Sequence, residues 1–137
     1  MDASRDIIIN QLETRGIYPT PQRVKIAQVM LSKQQHMSAD KVLQAVNMTE
    51  SAVSKATVYN TLGLFAKKGL VREVIVDPSK VFYDSNTSEH HHFYNVDTGE
   101  LSDVDSNDLL IEGLPEMPIS TELDGVDVII RLRQKSA

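Results

Sequence analysis

The sequence predicts an α+β chain in two lobes, and three observations carry that prediction. Apolar residues recur at helical spacing through the first half, in stretches opened by capping residues or closed by glycine. Two runs with strand character, "LVREVIV" and "VFYD", flank the proline-containing turn "DPSK". Beyond residue 85 the pattern changes to short strands, prolines and acidic residues. A length of 137 residues suits one compact unit or two small lobes.

Each element has its own justification. Residues 4–15, "SRDIIINQLETR", predict a helix with Ile8, Ile9 and Leu12 on one side and Gly16 as the stop. A second helix starts with Thr20 as N-cap and Pro21 in the first turn, and turns Val24, Ala27 and Leu31 inward. Ser38 caps a third, "ADKVLQAV", with Val42, Leu43 and Val46 inward. "NMTESAVS" reads as a turn. The fourth helix spans residues 55–68, capped by Ser54 and ended by Gly69. Helices followed by a hairpin in this order are the plan of a winged helix-turn-helix.

In the second lobe, "HHHFYNV" and "ELSDVD" flank the hairpin signal "DTG". Residues 106–125 are broken by Pro115 and Pro118, with a short helix expected around Asp108–Glu112. "VDVIIRLRQ" alternates, placing Val126, Val128, Ile130 and Leu132 on one face. A lobe of about 50 residues buries little core alone, so this one is expected to complete its core against a second copy. The expected division is a winged-helix lobe over 1–84 and a small second lobe over 90–137.

Composition narrows the function. No run approaches a membrane span, and "MDASRDIIIN" has acids where a signal peptide has basic residues, so a cytoplasmic protein with no membrane partner is expected. There are no cysteines, which excludes disulfides, thiolate zinc and cysteine catalysis. Residues 1–84 carry 11 Lys+Arg against 8 Asp+Glu, a balance of +3, whereas residues 85–137 carry 3 against 11, a balance of −8. That asymmetry points the first lobe toward a polyanion.

The fourth helix is the candidate reader. At 100° per residue, Val58, Leu62 and Phe65 face the core while Ala56, Asn60, Gly63 and Lys67 lie opposite, with Thr57 and Tyr59 on the flanks. Ala56 and Tyr59 suit a thymine methyl, Asn60 suits adenine, and Thr57 and Lys55 suit phosphate. Arg23 is placed for backbone phosphate and Arg15 for an outlying contact. The competing readings are an ordinary solvated helix face and a winged helix used for protein contacts. An enzyme is not expected, because no acid, base or nucleophile is arranged around the candidate metal ligands.

"SNTSEHHHFYNVDTGEL" holds His90, His91 and His92, and the chain has one further histidine, His36. The plain reading is a solvated loop or polar strand face; the sharper one is a metal or haem site. On a strand, His90 and His92 project together, about 7 Å apart at their backbones, while His91 points the other way with Phe93.

"TPQR", "HMSAD", "ATVYNTLGLFAKKGLVREV" and "HHHFY" together resemble the ferric-uptake-regulator family across essentially the whole chain. "FYDSNTSEHHHFY" and the ending "LPEMPIS…DGVDVIIRLRQK" look most like its iron-response-regulator branch. The resemblance implies a homodimeric transcription factor, mainly a repressor, acting on a double-stranded DNA operator, with a DNA-binding domain over 1–84, a hinge at 84–89 and a small α/β dimerisation and sensing domain over 90–137. It also implies control of iron and haem genes, response to iron through haem, and a haem-synthesis enzyme as haem donor. A manganese- or peroxide-type regulator of the same family is the alternative.

Carried over residue by residue, the family's regulatory metal site falls on His36, Asp84, His90, His92 and Asp103. Three imidazoles and two carboxylates suit Fe(II) or Mn(II) and also accommodate Zn(II). His90, His91 and His92 are the haem candidates. Many relatives carry a C-x-x-C-G zinc motif where this chain has "NVDTG", with Asn95 and Thr98 at the cysteine positions, so no structural cysteine zinc is expected.

Overall fold

Hydroxyl caps start three of the helices. Thr20 Oγ1 accepts the Arg23 N–H at 3.3 Å, Ser38 Oγ the Lys41 N–H at 3.2 Å, and Ser54 Oγ the Thr57 N–H at 3.1 Å. The computed structural model describes residues 2–48 and 52–136. The turn expected over 47–54 therefore falls partly on residues 49–51, outside the described residues. The chain divides into two units, Met1–Thr87 and Ser88–Ala137.

The first unit holds α1 (Asp2–Thr14), α2 (Pro21–Leu31), α3 (Ala39–Val46) and α4 (Lys55–Lys67). Expected inner residues Leu12, Val24, Ala27, Val42, Val46, Val58, Leu62 and Phe65 are buried, and Ile8 nearly so. Ile9, Leu31 and Leu43 are only half-buried. Ile26 and Met30 are fully buried as well, because α2 packs against α1, α3 and α4 and has no broad solvent face. Asn47 closes the gap between α3 and α4: its Nδ2 donates to the Val53 carbonyl at 2.9 Å and its Oδ1 accepts the Val53 N–H at 2.7 Å.

The wing is a sheet of β1 (His36–Ser38), β2 (Arg72–Asp77) and β3 (Lys80–Asp84) in the order β1-β3-β2. The hairpin β2–β3 was expected, starting two residues earlier; β1 was not. Three residues between two helices carry no period to read, and only β3, far along the chain, completes them. Ser85 ties β1 in place. Its N–H donates to the Gln35 carbonyl at 2.9 Å, and its Oγ accepts the Gln35 N–H at 2.9 Å.

The second unit is a sheet of β4 (His91–Asn95), β5 (Leu101–Val104) and β6 (Ile129–Leu132) in the order β5-β4-β6. β5 runs antiparallel to β4, and β6 runs parallel to it. A parallel neighbour needs a crossover, which residues 105–128 supply without a helix. The expected helix around Asp108–Glu112 is thus absent, and the described part of this unit is strand and loop rather than α/β. Asp105 explains why. Its Oδ1 accepts the Asn107 N–H at 2.9 Å and its carbonyl accepts the Asp108 N–H at 2.9 Å, an Asx-type turn that competes with helix initiation. Gly113 and Pro115 leave too little chain for the helix to recover. Of the alternating face, Val126, Val128 and Ile130 are half-buried, but Leu132 is 39% exposed.

Asn95 and Thr98, at the positions of the relatives' cysteines, hold the β4–β5 turn by hydrogen bonds. Asn95 Oδ1 accepts the N–H groups of Asp97 at 2.9 Å and Thr98 at 3.1 Å, and Thr98 Oγ1 accepts that of Glu100 at 3.2 Å. Gly99 completes the turn at φ +76, a conformation that favours glycine. Asn95 Nδ2 also donates to Gln134 Oε1 at 2.8 Å, and Asp97 Oδ2 accepts the Gln134 N–H at 2.8 Å, which fastens the far end of β6. Asn95→Ala is expected to destabilise this unit by about 1–3 kcal/mol. Urea unfolding, with hydrogen exchange at the Val96 amide as the local readout, measures it; unchanged exchange would mean the turn does not hold β6.

Candidate functional site

In the second unit, strand alternation sets the faces. His90 lies just before β4, yet its ring sits beside that of His92, with centroids 4.5 Å apart and planes tilted by 57°. Asp103 is the register partner of His92 across the β4–β5 pair. Its Oδ1 lies 3.4 Å from both His90 Nε2 and His92 Nε2. Two imidazoles and one carboxylate thus converge. His92 is buried, whereas the Asp103 side chain is 54% exposed.

A tautomer argument shows what this trio can hold. His90 Nδ1 lies 2.7 Å from the Ser88 carbonyl. A carbonyl oxygen only accepts, so Nδ1 carries a proton and a neutral His90 presents a lone pair at Nε2. That lone pair faces a carboxylate oxygen, and two acceptors in contact require a proton or a cation among them. Nitrogen and oxygen donors that each lie about 2.1 Å from one ion can stand 3.4 Å apart, so the observed spacing admits a divalent ion. The donors are nitrogen and oxygen only, which suits Mn(II), Fe(II) or Zn(II). The Ser88 carbonyl is the outer partner that orients the ring. Nothing in the sequence singled it out, since any residue supplies a carbonyl.

The other expected ligands belong to the first unit. His36 on β1 is the register partner of Asp84 on β3. Asp84 is buried, and its Oδ1 accepts the Asn86 N–H at 2.9 Å. β1, invisible in the sequence pattern, is what puts these two residues opposite each other.

His91 has a different occupation. Its Nδ1 accepts the Val128 N–H at 3.0 Å, just ahead of β6, and the His92 N–H donates to the Val128 carbonyl at 3.1 Å. The local pairing of His91 is thus a tie to β6.

On α4, Lys55, Ala56, Tyr59 and Asn60 are exposed, and Gly63 and Lys67 continue the same face. Thr57 is half-buried, and its Oγ1 accepts from Ser54 Oγ at 2.9 Å within the cap. The Tyr59 hydroxyl donates to Asp40 Oδ1 at 2.6 Å, and Lys55 Nζ stands 5.4 Å from the Tyr59 ring centroid. Asp40 was read only as part of the third helix; helical periodicity within one segment does not reveal a partner on another. Arg23 is half-buried and its Nη1 donates to the Tyr18 carbonyl at 3.1 Å. Arg15 is at the other end of α4: a Cβ on Gly69, which has φ +77, would come within 3.0 Å of Arg15 Nη1. No helix among the described residues is long and apolar enough to cross a membrane.

Residues 14–117 match the sequence profile of the Ferric uptake regulator family. The peroxide-responsive repressor of Staphylococcus aureus is 35% identical over 95 residues, which are 69% of this chain and 64% of that protein. The chain thus spans less than two thirds of the length of the first curated relatives it matches. The manganese-bound ferric uptake regulator of Pseudomonas aeruginosa superposes with a TM-score of 0.69 at 28% identity, covering 93% of this chain and 97% of that one. The Vibrio cholerae ferric uptake regulator gives 0.71 at 20% identity over 92% and 98%, a likeness of fold. The α+β class is borne out by these superpositions.

His91→Ala is expected to speed hydrogen exchange of the Val128 amide by about five- to tenfold, the loss of one net hydrogen bond. Exchange measured by NMR checks it; a rate equal to wild type would show that His91 does not tie β6.

Proposed function

Since the chain belongs to the ferric uptake regulator family, we propose that it is a metal-responsive DNA-binding transcriptional regulator acting mainly as a repressor. The observation that carries the proposal is the trio His90, His92 and Asp103, with the His90 tautomer set by Ser88. The name of the S. aureus relative adds repression and response to peroxide, and that of the P. aeruginosa relative adds manganese.

In this reading one divalent ion, Mn(II) or Fe(II), takes His90, His92 and Asp103 from the second unit and His36 and Asp84 from the first. The ion supplies the charge that these lone pairs require. Ligands drawn from both units make its affinity depend on their arrangement, so binding shifts the population toward one arrangement. α4 enters the major groove, with Ala56, Tyr59 and Asn60 toward base edges and Lys55, Arg23 and Arg15 toward phosphate. Thr57, already engaged in the cap, is the weakest of the expected contacts. The second unit pairs with a second copy, supported by the half-buried face of β6 and the exposed Leu110, Leu114, Ile119 and Leu123. The finer assignment to the iron-response branch rests on "FYDSNTSEHHHFY" and the C-terminal ending. Under it, haem takes Nε2 of His91, the nitrogen not used by Val128, and haem and iron genes are the targets.

Two measurements test the proposal. His92→Ala is expected to weaken Mn(II) binding by roughly 100-fold or more in calorimetry, with His91→Ala unchanged; the reverse pattern would refute the assignment of faces. Asn60→Ala is expected to lower operator preference by about 1–3 kcal/mol in gel shifts against random competitor, while Arg23→Ala weakens all sequences alike. Equal retention of operator and random DNA by the wild-type protein with Mn(II) would reject the regulator.

A further inference from the structure

Tyr59 is held from two sides. Its hydroxyl donates to Oδ1 of Asp40, in the first turn of α3, at 2.6 Å. Its ring lies 5.4 Å below the ammonium of Lys55, one turn back on α4. The side chain is nevertheless 38% exposed, so it is fixed and presented at once. The hydrogen bond to Asp40, with smaller contributions from burial and the Asp40 charge, also holds the phenol above its usual value of 10.0, so the proton stays on the oxygen at neutral pH.

A phenol has one proton to give. Committed to Asp40, it is not available to a phosphate, to guanine O6 or N7, or to thymine O4. What remains at this point of α4 is apolar or accepting: the ring edge, the phenol lone pairs and the second carboxylate oxygen. The carboxylate also repels phosphate, so the pair is a poor backbone contact. Asp40 has a simpler role, since an acid in the first turn of a helix favours its dipole, but that role needs no contact with Tyr59.

We infer that Asp40 is a positioning residue for base reading: through Tyr59 it makes this part of the α4 face accept base edges that offer an amino proton or a methyl group and reject the acceptor edge of guanine. The inference rests on the proposed reading of DNA by α4.

Selection of bound sequences from a randomised operator pool, with the full chain and Mn(II), tests it. Wild type is expected to exclude guanine at one position. Asp40→Ala frees the hydroxyl proton, so guanine is admitted there, with discrimination falling roughly 5- to 100-fold, and retention of random DNA rises. Tyr59→Phe has no proton to give guanine and keeps the exclusion, and Asp40→Ala on top of it changes nothing, as expected if Asp40 acts through the Tyr59 hydroxyl. Asp40→Asn keeps an acceptor for Tyr59 and keeps the preference. The inference is overturned if Asp40→Ala selects as wild type does at every position. It is equally overturned if Asp40→Ala admits guanine in the Tyr59→Phe background as well, because the charge would then act directly. If Asp40→Ala does not fold, Tyr59→Phe and Asp40→Asn decide: exclusion of guanine by both supports the pair, and admission of guanine by either refutes it. A wild-type protein that selects no sequence brings down the DNA reading itself, and the role of Asp40 with it.

Discussion

The second unit depends on the turn at Asn95. Its side chain takes two backbone N–H groups of the β4–β5 connection and reaches Gln134 beyond β6. One residue therefore sets the register of β5 on one side of β4 and anchors β6 on the other. With that register, Asp103 stands opposite His92 and Val128 comes within reach of His91. A slip of one residue would send every side chain to the other face and dissolve the histidine cluster. A chain without cysteines thus secures with amide and hydroxyl groups the same stretch for which the resemblance supplies thiolates and zinc in many relatives.

The three consecutive histidines are three different chemical groups. His90 donates through Nδ1 and offers Nε2. His92 is buried next to the same carboxylate. His91, on the other face, accepts a strand N–H and behaves as part of the backbone ladder. Alternation along β4 separates the roles, and hydrogen bonds to carbonyl and amide groups decide which nitrogen carries the lone pair. The His90 lone pair and the Asp103 oxygen in contact call for a proton or a cation between them, and the two imidazoles beside one carboxylate are the donor set on which the cation reading stands.

In the first unit, α3 and α4 are coupled at two places. Asn47 joins the end of α3 to Val53, just before the Ser54 cap, and Asp40 joins the start of α3 to Tyr59. The exposed face of α4 is thereby set by the helix behind it as well as by its own residues. The match over residues 14–117 gives the family, and the likeness to the Vibrio cholerae structure gives the fold.

By itself the sequence determined what local physics controls. The caps Thr20, Ser38 and Ser54, the inner faces of α3 and α4, the wing turn at Pro78 and the turn before Gly99 follow from interactions within a few residues. Alternation alone also put His90 and His92 together and His91 apart. The tertiary structure decided whatever joins distant positions. β1 exists because β3 pairs with it, bringing His36 opposite Asp84. The helix expected at Asp108–Glu112 gave way to the Asp105 turn inside a crossover. Asp40 reaches Tyr59, and His91 reaches Val128, across gaps that no periodicity spans. A hydrogen bond between elements depends on where two backbones meet, and that is a property of the packed chain, not of either segment.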